Sequence, residues 1–350
     1  MARQRHARLL ACAALVLLCA RAHAQCGPDG TSPYPPGSQE CPSGPSPSGP
    51  SSGSSGTAST KCDGDGASAS YTETISGDSR VVSTNGCPNH YSLCTGKSGV
   101  TGCGGIGSAG TATEAVQADK VYTILSSPVI AASSTDTKCS TGAIGVAING
   151  VAVYSGAVDG QCTQLDVTDN TAEWTSFDMC AGHSQQQGEY HYHFVPACLL
   201  SAIGVTATSH SPHAGWALDG FPIYGPKGPG GVDMKKCTSS GADSTYCLDS
   251  CGGLEMELPG VDAFKYRYYF TGPMTDEVTL PGTPQPDVSY SPYTFDCYKG
   301  CQYDAYKAGT CTGSSGVTAA YTATAATGTT AMYTAGSATP APVAATPAPV

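Results

Sequence analysis

The sequence predicts a mainly β fold, an antiparallel sandwich or partly closed barrel with long glycine-rich, disulfide-stapled loops. Three observations predict it. Short runs rich in Val, Ile, Thr and Tyr recur along the chain with turn residues between them. Two of these runs bend about Asn149-Gly150 and Asp219-Gly220, pairs that favour tight hairpins. Cysteines are frequent, 18 in 350 residues, and fall mostly in Gly/Ser-rich stretches that staples suit better than helices do.

Taken in order, the first element is a leader. Arg3, Arg5 and Arg8 precede the apolar run Leu9–Ala20, and Ala22-His23-Ala24 supplies a small-x-small cleavage pattern. The mature chain is expected to start at Gln25. The apolar run is too short to span a bilayer comfortably, and no other stretch is apolar enough, so membrane insertion is not expected. Removing the leader also removes Cys12 and Cys19, leaving 16 cysteines, an even number that suits an oxidising, extracellular compartment. The net charge of −11 moves to near −15 with the leader's four arginines gone. That acidity argues against nucleic acid and anionic lipid as partners and suits a protein that holds cations.

Residues 25–60 are dominated by Pro, Gly and Ser and read as a linker without a core. The body, 61–311, carries the strands. YTETISGDSRVVSTNG (71–86), VYTILSSPVI (121–130), EYHYHFV (189–195) and FKYRYYF (264–270) join the hairpins GVAINGVAVYSG (145–156) and GWALDGFPIYG (215–225). Residues 196–207 suit a short helix. Residues 232–255 and 295–311 are Cys-rich and read as stapled loops. A Thr/Ala/Pro-rich tail is expected over 312–350. Two motif matches are accidental. Gly102-Cys-Gly104-Gly-Ile-Gly107 follows a polar loop rather than a strand, and Gly49-Pro-Ser51-Ser-Gly53 sits in the linker.

The histidines carry the chemistry. Six remain in the mature chain, and five of them fall between His183 and His213. Alternate residues of a strand share a face, so His191 and His193 point one way, roughly 7 Å apart at ~3.3 Å per residue. Tyr190, Tyr192 and Phe194 point the other way, into a core. Two imidazoles on one strand face suit Zn²⁺ or Cu²⁺. Further ligands are sought among His183, His210 and His213, with Asp178 and Asp219 as oxygen donors or imidazole-orienting carboxylates. Asp219-Gly220 is also good turn chemistry by itself. Cys180 suits a disulfide, with Cys198 one possible partner, better than a soft ligand.

These motifs resemble those of the YHYH family. The resemblance rests on Asp178-Met-Cys180-Ala-Gly182-His183, Tyr190-His191-Tyr192-His193, His210-Ser211-Pro212, the 215–226 hairpin, and Asn85-Gly-Cys-Pro88-Asn-His90 upstream. It covers about 71–275. It implies an extracytoplasmic β-rich domain without a settled activity, and groups His90, His183, His191, His193 and His210 as one constellation, with less weight on His213. Three functions follow as expectations: a secreted domain that binds Cu or Zn; a metal-dependent hydrolase or oxidoreductase on the same ligands, with Tyr190, Tyr192 or Asp219 handling protons; and an extracellular matrix or wall module that binds glycans.

Overall fold

The computed structural model describes residues 61–62, 69–90, 115–159, 161–165, 177, 180–185, 187–272 and 288–325. The expected leader (1–24) and linker (25–60), Asp178 and the Gly102–Gly107 stretch lie outside the described residues. The fold is mainly β, as expected, and its sheets stack as in a sandwich rather than closing into a barrel.

β1 (Tyr71–Ser76), β2 (Ser79–Thr84) and β3 (Lys120–Leu125) form a small antiparallel sheet. β4 (Val129–Asp136) belongs to another small sheet. The central sheet takes β5 (Ala143–Ala147), β6 (Ala152–Tyr154), β7 (Gly182–Ser184), β8 (Tyr190–Tyr192), β9 (His213–Ala217), β10 (Pro222–Tyr224), β11 (Gly253–Glu255) and β12 (Tyr266–Tyr269). Its order is β11-β12-β10-β9-β5-β6-β8-β7. β13 (Cys297–Gly300) and β14 (Gly313–Ser315) flank β4. A short helix, Ala197–Ala202, falls in the stretch expected to hold one.

Antiparallel pairing dominates, but β6 pairs with β8, and β10 with β12, in parallel. These two junctions reveal an approximate two-fold axis between Val146 and Trp216, which face each other in the β5–β9 pair. Gly145↔Val153 in β5–β6 matches Gly215↔Ile223 in β9–β10. Val153↔Tyr192 matches Ile223↔Tyr268. His183↔His191 in β7–β8 matches Leu254↔Arg267 in β11–β12. The β5–β8 and β9–β12 halves therefore share one topology and one register. Local chemistry repeats as well: Gly182 and Gly253 each lie so close to a tyrosine ring, Tyr190 or Tyr266, that a Cβ would overlap it.

Both hairpin loops differ in detail from the two-residue turn the sequence suggests. Gly150 N–H donates to Ala147 O, and Ala147 N–H to Val151 O; Gly220 and Ala217 make the equivalent bonds. This is a longer loop closed by one residue in the left-handed region, where Gly150 and Gly220 both have φ of 89°. Asn149 Oδ1 and Asp219 Oδ1 each accept from the backbone N–H two residues on, as Asx turns do.

The β1–β3 sheet covers the centre of the large one. Arg80 lies over the Trp216 ring at 3.8 Å, and Trp216 Nε1–H donates to Glu73, which also pairs with Arg80. Gly150 packs under Thr84 and Gly220 under Leu125, so the two hairpin loops dock on adjacent strands. Six disulfides lie among the described residues: Cys62–Cys87, Cys139–Cys162, Cys180–Cys198, Cys237–Cys247, Cys251–Cys297 and Cys301–Cys311. Cys251–Cys297 joins the two Cys-rich loops to each other. β14 pairs with β4, Val317 bridges Phe264, and Tyr321 donates to Ser126 O, so the packed body runs past Cys311.

Candidate metal centre

Cross-strand partners share a face, and His183 and His191 are register partners in β7–β8. The return of the chain through Gly188, at φ 87°, brings the two strands together. His193 follows two residues after His191 on the same side. The outcome is a convergence of three ring nitrogens: His183 Nε2 is 3.0 Å from His191 Nε2, which is 3.1 Å from His193 Nε2. All three residues are buried, none more than 3% exposed.

The opposite edges of two rings are fixed by backbone. His191 Nδ1 lies 3.1 Å from Glu189 O, and His193 Nδ1 lies 2.6 Å from Ser155 O. A carbonyl can only accept, so each Nδ1 carries a proton and each ring turns its Nε2 toward the cluster. Burial holds His191 well below the usual imidazole range, and the neighbouring His183 and His193 push further the same way. The neutral His191 thus presents an Nε2 lone pair between the Nε2 atoms of His183 and His193, with its own proton held at Nδ1 by Glu189 O. A cation suits that arrangement. With Zn–N bonds of about 2.0–2.1 Å, a tetrahedral edge is about 3.3 Å, close to both observed spacings, and the three histidines form a group able to hold one ion.

Aromatic rings wall the cluster. Tyr154 stacks on His191 at 4.0 Å between centroids and 20° between planes, and Phe177 meets His183 edge-on at 4.7 Å. Tyr154 was not foreseen as part of the site. Its signal was its place at the end of β6, the strand that pairs with the YHYH segment. Burial pushes its phenol up to about 12, so it stays protonated beside Glu189 and Gln185.

The other sequence candidates lie elsewhere. His90 is on the far side of β8, where its Nε2 is 3.0 Å from Tyr192 Oη. Asn149 Nδ2 donates to that same oxygen. His90 also approaches Cys180 and Cys198, but those sulfurs are bonded to each other. Asp219 sits in the β9–β10 loop, where its Oδ2 accepts from Tyr268 Oη (2.6 Å) and Gly300 N (2.8 Å). Burial raises its carboxyl to about 6. His210 contacts Tyr269, with Nε2 at 2.8 Å from Oη. His213 packs on Trp216 at 4.4 Å with its Nε2 sealed and unpartnered, and burial pushes its imidazole down to about 4. Tyr190 and Tyr192 are fully buried on the face away from the three imidazoles.

Fold and site together define a β-sandwich protein with three imidazoles gathered on one face of its central sheet. The chain belongs to the YHYH family: residues 121–333 match the family described as YHYH protein. That match starts at β3 and extends beyond β14, later at both ends than the 71–275 expected from the motifs. No curated protein and no solved structure matches the chain.

Proposed function

We propose that this chain is a secreted protein whose YHYH domain binds one transition-metal ion, zinc or copper, through His183, His191 and His193. The observation that carries the reading is the approach of His191 and His193 Nε2 to 3.1 Å while both Nδ1 atoms face carbonyls. The donor set is all nitrogen, which suits either metal. The backbone carbonyls act as the orienting partners that metal-bound imidazoles usually have. The six disulfides among the described residues agree with an oxidising compartment. In this reading residues 1–24 are a leader, 25–60 a linker, and the Thr/Ala/Pro-rich end a tail.

A second reading, a metal-dependent hydrolase or oxidoreductase, is favoured by one feature. Three protein ligands leave a coordination position open, and the protonated Tyr154 phenol beside Glu189 stands at the edge of the cluster. A cobalt-substituted protein whose visible spectrum shifts with added azide would support an open position. An unresponsive spectrum would leave binding alone.

The binding reading is tested by metal analysis of secreted, disulfide-intact protein beside a His191→Ala/His193→Ala variant. The expected result is close to one equivalent of zinc or copper in the wild type and none in a folded variant. Metal absent from the wild type even after reconstitution would overturn it.

A further inference from the structure

The two-fold relation between the halves gives each residue of the metal centre a counterpart. By register, His183 corresponds to Leu254, His191 to Arg267, and, two residues on, His193 to Tyr269. Tyr154, which stacks on His191, corresponds to Tyr224. The second half therefore has no imidazole at any of the three positions. It has a charged group instead.

Arg267 is fully buried. Its Nε and Nη2 donate to the two oxygens of Asp262, at 3.0 and 2.8 Å. Nη1 donates to Met256 O and Nη2 also to Phe264 O. Tyr224 Oη donates to Asp262 Oδ2 at 2.7 Å, so the tyrosine equivalent to Tyr154 again flanks the charged position. His210, grouped by sequence with the other ligands, is found at this second location. It bonds Tyr269 and meets the Tyr224 ring edge-on at 4.9 Å. One half thus has three imidazoles whose Nε2 atoms converge. At the register equivalent of His191 in the other half, a guanidinium brings its own positive charge with a carboxylate to match.

Resting on the metal-binding reading of the first half, we infer that the second half carries a latent copy of the metal site, in which the Arg267 guanidinium stands in for the ion. Restoring imidazoles at its three register positions makes it bind a divalent transition metal. The substitution is chemically coherent. Removing Arg267 leaves Asp262 buried without its partner, which is strongly unfavourable, and a divalent cation held by imidazoles compensates that charge. In the natural chain only the first half exchanges its cation with solution, and the second holds a permanent one.

The experiment uses the full chain with Leu254→His, Arg267→His and Tyr269→His, reconstituted with zinc alone, dialysed and analysed for metal. The variant is expected to hold two equivalents against one in wild type. Adding His183→Ala and His193→Ala should bring it back to one. A triple variant with native disulfides and a cooperative melt that still holds only one equivalent would overturn the inference. A wild type without metal would instead overturn the first-half reading. If the triple variant does not fold, the milder Leu254→His/Arg267→His chain, which keeps Asp262 as a third donor, is refolded with and without zinc. Native disulfides recovered only with zinc support the latent site, and zinc-independent recovery or failure in both counts against it.

Discussion

Tyr192 and Tyr268 are register equivalents that reach the same loop position, Asn149 in one half and Asp219 in the other, with opposite polarity. Tyr192 accepts from Asn149 Nδ2 and bonds His90 Nε2; Tyr268 gives its proton to Asp219 and accepts from Lys299 N–H. Replacing Tyr192 by Phe should lower stability by about 1–3 kcal/mol, the range for stranding buried hydrogen-bonding groups. Metal content should be unchanged, because this bond lies on the face away from the imidazoles. Urea unfolding and metal analysis of one preparation check both halves of that statement. A second prediction concerns pH. His213, at about 4 when folded against about 6.5 unfolded, loses the protein stability as pH falls from 6.5 to 4, since only the unfolded state takes up the proton. Asp219, at about 6 folded against 3.8 unfolded, has the opposite sign: the folded state takes up the proton first and gains stability over nearly the same window. Each effect is roughly 3 kcal/mol at 1.36 kcal/mol per pKa unit, and they nearly cancel. Relative to wild type, His213→Gln should therefore gain stability on going from pH 7 to pH 4.5, and Asp219→Asn should lose it. Parallel behaviour of the two variants in urea titrations would contradict this assignment.

At the scale of elements, the site depends on β7 lying against β8 in one register. Gly182 permits it, because a Cβ there would overlap the Tyr190 ring. Gly182→Ala should displace β7, move His183 away from His191, and reduce both metal occupancy and stability, the latter by about 1–3 kcal/mol as for an overpacked core position. Retained metal in this variant would mean that the strand pairing does not set the ligand geometry. Much of this level was legible beforehand. Period-two alternation at 190–194 separated the imidazoles from the tyrosines, and Asn149-Gly150 and Asp219-Gly220 marked both central hairpins. The parallel junctions were not legible, because a crossover leaves no local pattern in either strand. Nor was the His183–His191 pairing, since the segment between them has no alternation that specifies register. Grouping His90 and His210 with the site rested on shared motifs, and Asp219 on its chemistry and closeness in sequence, none of which says which face of a sheet or which half a residue joins.

For the whole molecule, the two-fold relation was hidden for a physical reason. In the stretches 145–156 and 215–226 only Gly145/Gly215, Ala147/Ala217, Gly150/Gly220 and Tyr154/Tyr224 are identical, the positions where close approach, turn geometry or a flanking ring matters most. The connecting loops differ in length and in disulfides, so the offset between equivalent residues changes along the chain. Metal in one half and guanidinium in the other also predict a response to chelation. Any ion that binds only the folded state adds stability by mass action, about 2.7 kcal/mol at a free concentration one hundred times Kd. Treatment with a chelator should lower the melting temperature of wild type and leave His183→Ala/His191→Ala/His193→Ala unmoved. Equal shifts in the two would place the metal's effect outside the three-histidine cluster.

The most direct measurement is X-ray absorption fine structure at the zinc or copper edge of the singly loaded, disulfide-intact protein. Three imidazoles bound through Nε2 predict a first shell of nitrogen at about 2.0–2.1 Å for zinc, with no sulfur. The outer-shell scattering of the rings should account for three histidines. A sulfur shell near 2.3 Å, or a light-atom shell without imidazole ring scattering, would contradict the assignment of the ion to His183, His191 and His193.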